Sequence, residues 1–425
     1  PSTSNPKPNE SVDESQTTDR RGRLRTFSSL QNNRDYRFLF AGNLFNNGAN
    51  WLQQLTVGWL VWELSHSPFL VGTVGGFRAV PFLVIGPWAG VLADRIDRRR
   101  LVLISQTLLA ISALLFALLV VSGQVQIWHA FSYITISGIA HSILQPVRSA
   151  LVANTVSKPD LGNAYALHAM SITSSRFVWP AIGGMLVAAY GFNVNFFIES
   201  AMYIALAILV VPMRTPYREE PKAHDSSSLT DLKEGLGYVW KKKPILQLII
   251  MSFVPNFCVQ PCLYLLPVFA GAILNRGPEI FGVLLSTNGV AGFLATLIIA
   301  TFGFILKKGM AGLLALILAS LGAILLGLSH WLPLSLLAVS LIGFALTTFR
   351  TSNGTMIQTL APDELRGRIQ SIYHFDHGFT PLASFVIGLF AEFYTPSSAV
   401  VVVGTISLAV SLYFLVAFGR IRQLE

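Results

Sequence analysis

The sequence sets ionisable and amide side chains where an apolar chain tolerates them least. His374, Asp376 and His377 lie together inside an apolar run. One carboxylate between two imidazoles can take up and release protons near neutral pH. Arg78 and Arg176 fall near the middle of two other apolar runs, and Glu199 falls in a third. Charges at that depth need a carboxylate, backbone oxygens or water, and Glu199 and Asp376 are the candidate carboxylates. A cavity carboxylate that meets an arginine in one conformation alone can bind a proton on one side and release it on the other. Asp376 suits that role, with Arg78 as its charge partner; structural pairing with Arg176 is the rival reading. Glu199 is a second candidate, with anchoring as its alternative. His141 and His168 also lie in apolar runs, where a lone histidine is more often a packing residue.

Asn43, Asn46, Asn47, Asn50 and Gln54 recur at steps of three, one, three and four, which is one stripe of a helix. Such a stripe either walls a water-lined cavity or bonds neighbouring helices. Asn256 and Gln260 sit among Pro255, Pro261 and Pro267. Prolines six residues apart interrupt the helical ladder repeatedly, at a moving part or at a plain kink.

These residues need elements that hold them in lipid. Of 425 residues, 52% are hydrophobic and only 12% charged, well below a soluble domain's share. Apolar runs of membrane-spanning length fall at 37–62, 68–92, 101–122, 128–152, 163–188 and 192–212. Six more fall at 245–272, 279–305, 310–328, 332–358, 367–392 and 397–419. The expected fold is all-α and integral to the membrane: twelve spans in two pseudo-symmetric six-helix halves, 34–212 and 245–425. A polar linker, 213–244, joins them, and residues 1–33 read as a disordered cytoplasmic tail. With the amino terminus inside, inner tails, loops and the inner ends of spans hold 25 of the 30 Lys and Arg, and outer loops hold only Arg276. That asymmetry puts both termini in the cytoplasm.

The net charge of +9 does not mark a nucleic-acid binder, because the cations lie in short loops between apolar runs. Cys258 and Cys262 share one apolar run and read as packing residues. No nucleophile–base pair, metal-ligand spacing or nucleotide-binding loop is present, so neither an enzyme, a metal site nor a cofactor is expected.

The hairpin after the second run reads Gly90-x-Leu92-Ala93-Asp94-Arg95-x-x-Arg98-Arg99. It resembles the loop between the second and third spans of the major facilitator superfamily, with Asp97 where glycine is usual. That variant is similar to the exporter branch containing enterobactin and macrolide efflux proteins. Further likeness lies in Trp59-Leu-Val-Trp-Glu63, Pro146-Val-Arg148, Leu266-Pro267 and Pro362-Asp-Glu-Leu-Arg366-Gly-Arg368. The resemblance implies a cavity lined by spans 1, 4, 7 and 10. It also implies a conformational latch at Gly90, Asp94, Arg95 and Arg98, in which Asp94 meets the amino end of span 11 and pairs with Arg148. Otherwise Arg148 and Arg350, nearer the inner face, are expected in structural ion pairs.

The halves echo one another. Arg148 precedes Pro159-Asp160 much as Arg350 precedes Pro362-Asp363, and Pro180 and Gly184 correspond to Pro381 and Gly388. The leading reading is a proton-coupled exporter of a small amphipathic molecule, a siderophore or drug, acting as a monomer in the plasma (inner) membrane. The alternative is a transporter-like sensor or lipid flippase without coupled flux.

Overall fold

The computed structural model describes residues 27–81, 83–85, 96–214, 228–362, 365–374 and 378–424. The elements are helices throughout these residues: α1 (Ser28–Asn32), α2 (Arg34–Ser65), α3 (Pro68–Phe77), α4 (Arg98–Val121), α5 (Ile127–Thr155), α6 (Leu161–Tyr190) and α7 (Phe192–Val210). After these come α8 (Ser228–Lys241), α9 (Lys243–Ile273), α10 (Pro278–Phe302), α11 (Lys308–Leu328) and α12 (Leu332–Leu360). The chain closes with α13 (Arg366–His374), α14 (Thr380–Phe393), α15 (Pro396–Ala417) and α16 (Gly419–Arg422).

Local chemistry sets several boundaries. Ser67 accepts from Leu70 N at 3.2 Å and precedes Pro68, a cap followed by a residue with no N–H to lose. Asp97, where the related motif carries glycine, caps α4 by accepting from Arg100 N at 3.0 Å. Gly191, with φ of 85°, turns the chain from α6 into α7. Thr395 and Ser398 cap α15 reciprocally.

Among the described residues, seven helices are long and apolar enough to cross a membrane. The long helices α2, α5 and α6 are not among them. They are diluted by the amides, histidines and arginines that make up the polar interior. The outer surface carries exposed Ile104, Leu115, Ile208 and Tyr413, as lipid-facing positions require.

Two expectations change. Residues 28–32 of the predicted disordered tail form α1, pinned to the start of α6: Ser29 Oγ donates to Asn163 Oδ1 at 2.6 Å and Asn33 to Asp160 at 3.0 Å. The predicted linker holds α8, whose Glu234 pairs with Arg368 of α13 while Gly235 packs against Ile372.

The segments before and after the linker meet along two seams. On one, α6 packs on α10, with Gly184 against Gly282. On the other, α3 packs on α14, with Gly72 against Gly388 and Gly76 against Pro381. Pro180 and Gly184, and their sequence counterparts Pro381 and Gly388, thus lie in corresponding seams. Trp62 against Gly271 and Trp59 stacked on Phe281 at 6.3 Å close the same end of the bundle. The opposite end carries Arg34, Arg98–Arg100, Lys158, Lys241–Lys243, Lys307 and Lys308.

Candidate functional site

A cavity of about 220 Å³ opens between α2, α3 and α5. Asn46, Asn47 and Asn50 line it from α2, Arg78 follows α3, and α5 contributes Gly138, His141, Ser142, Gln145 and Arg148. The predicted amide stripe therefore divides. Asn43 lies behind the wall, fully buried, and Gln54 is half-buried outside the lining.

The amides bind cations and one another. Arg148 Nε donates to Asn43 Oδ1 at 2.8 Å, and its Nη2 donates to Asn47 Oδ1 at 3.1 Å. Asn43 Nδ2 lies 3.1 Å from His168 Nδ1. Asn46 accepts from Gln106 at 2.8 Å, and Asn50 accepts from Arg78. Arg176 Nη2 donates to Asn288 of α10 at 2.5 Å, and its guanidinium lies 5.9 Å from the Trp51 ring centroid. Arg350 Nη2 donates to Gln260 at 3.1 Å.

Among the described residues, Arg148 and Arg350, read as members of structural ion pairs, are held by amide oxygens, Arg148 by Asn43 and Asn47 and Arg350 by Gln260; Asp94 lies outside the described residues. Glu199 hydrogen-bonds neither Arg78 nor Arg176. It is buried where α7 packs on α2 and α4, and Gln53 and Tyr133 reach it first, at 2.9 and 2.5 Å. Ser137 completes this set by donating to Gln53 at 2.9 Å, and the Tyr133 ring stacks on Phe116 at 4.6 Å.

In α9 the helix widens into π-helical turns at Pro255–Val259 and Phe269–Ile273, so the regular ladder of the proline-rich run is interrupted twice within one continuous helix. Asn256 sits in the first of these turns and donates to Ser252 O at 3.2 Å; Gln260 follows it. Cys262 Sγ donates to Cys258 O at 3.0 Å, and both thiols are free.

Of the expected latch, Arg98 donates to Asn154 of α5 at 2.7 Å, while neighbouring Arg99 donates to the last carbonyl of α7, that of Val210, at 3.1 Å. Gly90, Asp94, Arg95, Asp376, His377 and the His374 side chain lie outside the described residues. The sequence reading missed Gln53, Tyr133 and Asn288. Asn288 carried one signal, an isolated amide inside an apolar run.

Residues 25–425 match the family described as transmembrane secretion effector. The Staphyloferrin A transporter of Staphylococcus aureus is 27% identical over 385 residues, covering 89% of this chain and 96% of that protein. Multidrug efflux pump Tap of Mycolicibacterium fortuitum is 24% identical over 348 residues, covering 79% and 83%. Among solved structures, a POT family transporter in complex with 5-aminolevulinic acid gives a TM-score of 0.75 at 13% identity, over 92% of this chain and 97% of that one. Nucleoside transporter NupG gives 0.68 at 15% identity, over 91% and 99%. At such identities the likeness shows the fold alone. The apolar helices, the polar interior they enclose and a family match over nearly the whole chain lead to one conclusion: the chain belongs to the transmembrane secretion effector family and is a membrane transporter of the major facilitator type.

Proposed function

We propose that this protein is a secondary active exporter of a small amphipathic molecule, working by alternating access and coupled to protons. The observation that carries the reading is the cavity at Asn46, Asn47, Asn50, Arg78 and Arg148, a polar wall inside a bundle whose exterior is apolar. Polar and charged groups are costly at such depth and mark solute pathways. Its volume of about 220 Å³ lies below the roughly 300–1,000 Å³ of drug-sized pockets, so it takes the polar end of a larger solute.

The chain is read as twelve spans in two halves, 34–212 and 245–425, with both termini in the cytoplasm of a bacterial cell. Paired features favour the duplication: Arg148 bonds amides of α2 much as Arg350 bonds an amide of α9, and the two Pro–Gly pairs occupy corresponding seams. Alternating access draws support from the named contacts between the halves, which gather at the end opposite the basic loops. Asp376, with His374 and His377, remains the candidate proton carrier, and Asp94, with Gly90, Arg95 and Arg98, the candidate latch. The relative named as a multidrug efflux pump favours export, and the one named as a staphyloferrin A transporter favours a small-molecule solute.

Everted membrane vesicles with an imposed proton gradient test this reading. An amphipathic xanthene dye should accumulate inside them and leak away when a protonophore is added. Accumulation indifferent to the protonophore removes proton coupling; no accumulation of any probe removes export.

A further inference from the structure

Four arginines lie within the membrane-spanning helices or the turn after α3, and each is hydrogen-bonded to a neutral amide. Arg78 is held by Asn50, Arg148 by Asn43 and Asn47, Arg176 by Asn288, and Arg350 by Gln260. An amide oxygen orients a guanidinium without neutralising it. A guanidinium carries about five N–H donors in a rigid fork, and these bonds occupy one donor on three of the arginines and two on Arg148. The remainder of each fork is the shape that takes a carboxylate or phosphate bidentately.

The four charges are neighbours. Arg78 and Arg148 line the same cavity. Asn50 and Trp51, adjacent on α2, hold Arg78 on one side and lie under Arg176 on the other. Tyr264 of α9 packs into the space left by Gly75 of α3, three residues before Arg78, and lies one helical turn beyond Gln260, which holds Arg350. Arg176 reaches into the second half to Asn288 of α10, and Arg350 of that half is held by Gln260 of α9. Glu199 is within electrostatic reach of Arg78, but it lies outside the cavity lining and is bonded to Gln53 and Tyr133. Among the described residues the interior is thus strongly positive, and a cationic solute entering it meets like charge in a weakly screening medium.

We infer that the transported molecule is a soluble amphipathic polyanion with at least two carboxylate- or phosphate-type groups, one received by Arg78 and Arg148 and another by Arg176 and Arg350. This rests on the export reading and names its substrate class. Arg78, Arg148 and Arg176 of the first half and Arg350 of the second then hold one solute between them, which adds a bridge between the halves to the Arg176–Asn288 bond already present.

Two dyes with the same xanthene skeleton and opposite charge test it: carboxyfluorescein, a polyanion, and rhodamine 6G, a cation. Binding is read by fluorescence anisotropy on purified protein in phosphatidylcholine nanodiscs, and flux separately in everted vesicles. Carboxyfluorescein should bind at least about tenfold more tightly than rhodamine 6G. Arg78→Gln and Arg350→Gln should each weaken it about tenfold, and the Lys variants, which keep the charge, should lose less. Variants are compared only where size-exclusion profiles match wild type, and the Lys pair carries the comparison if a Gln variant does not fold. Tighter binding of rhodamine 6G, carboxyfluorescein binding indifferent to both arginines, or binding of neither dye overturns the assignment. Adding phosphatidylglycerol separates a free solute from a lipid headgroup: unchanged dye affinity supports the soluble polyanion, and competitive loss overturns it. Gradient-driven export of rhodamine 6G alone would leave the export reading intact and remove the polyanion. Arginine-dependent carboxyfluorescein binding without flux of either dye would do the reverse.

Discussion

Gly184 and Gly282 face each other across the seam between α6 and α10, and a Cβ added to Gly282 would lie 3.1 Å from the Gly184 Cα and clash with the Pro180 carbonyl. Backbones approach this closely only where no side chain intervenes. A leucine at Gly282 should wedge the seam open. In a background lacking Cys258 and Cys262, a cysteine replacing the buried Trp59 should then react faster with an impermeant maleimide, and flux should fall about tenfold or more. Unaltered labelling and flux would show that the seam is not a closing surface.

Asn43 accepts from Arg148 inside the protein, so Asn43→Ala leaves a buried guanidinium donor unmet at a cost of about 1–3 kcal/mol. Replacing Arg148 with Met as well removes the orphaned charge. Thermal unfolding in detergent should therefore show the double variant to be more stable than Asn43→Ala alone. Simple additivity of the two losses would count against the pairing.

Asp160 fastens α1 beside the start of α6. Burial works to raise its pKa, but hydrogen bonds from Asn32, Asn33, Ser28 and Ser157 outweigh that and hold it below the usual carboxylate value. A carboxylate with a depressed folded pKa stabilises fully above its unfolded value and loses that contribution as pH falls through the folded one. The docking of α1 should thus be unaffected by pH near neutrality and weaken below the usual aspartate range. A spin label at Gln31 reads this as mobility rising on acidification, and Asp160→Asn should give raised mobility at neutral pH.

Glu199 and Asp376 should part company under isosteric substitution. Gln in place of Glu199 still accepts from Gln53 and Tyr133, so folding and proton-driven flux should persist. Leu there leaves both donors unmet and should lower stability by about 1–3 kcal/mol for each. Asp376→Asn should stay folded and keep solute exchange but lose gradient-driven flux. Full proton-driven transport by Asp376→Asn would take that residue out of the mechanism.

Much of the frame was legible in the sequence because lipid leaves few options. The apolar runs at 101–122, 310–328 and 397–419 reappear as α4, α11 and α15 within a few residues. The amide stripe was readable because helical spacing alone brings Asn46, Asn47 and Asn50 to one face. What each amide would bind was not. That Arg148 meets Asn43 depends on how α5 settles against α2, and that is decided by packing over the whole bundle. Gln53 escaped notice for a simpler reason: one residue from the stripe turns its side chain toward α7 and Glu199. The short helix α1 carries a single apolar residue and α8 is interrupted by Gly235 and Gly237, and both are held by partners distant in sequence, at Asp160, Asn163 and Arg368.

The amide-held arginines also bear on what powers the carrier. A bacterial cell is electrically negative inside, and moving one elementary charge through about 100 mV is worth about 2.3 kcal/mol. A solute that leaves as a dianion is pushed outward by about twice that before any pH difference contributes. Four fixed guanidiniums let such a solute cross with its charge intact instead of having to be protonated on the way. Its export should therefore respond to voltage as well as to pH, and clamping the potential to zero with valinomycin and potassium should slow it even where the pH gradient is preserved.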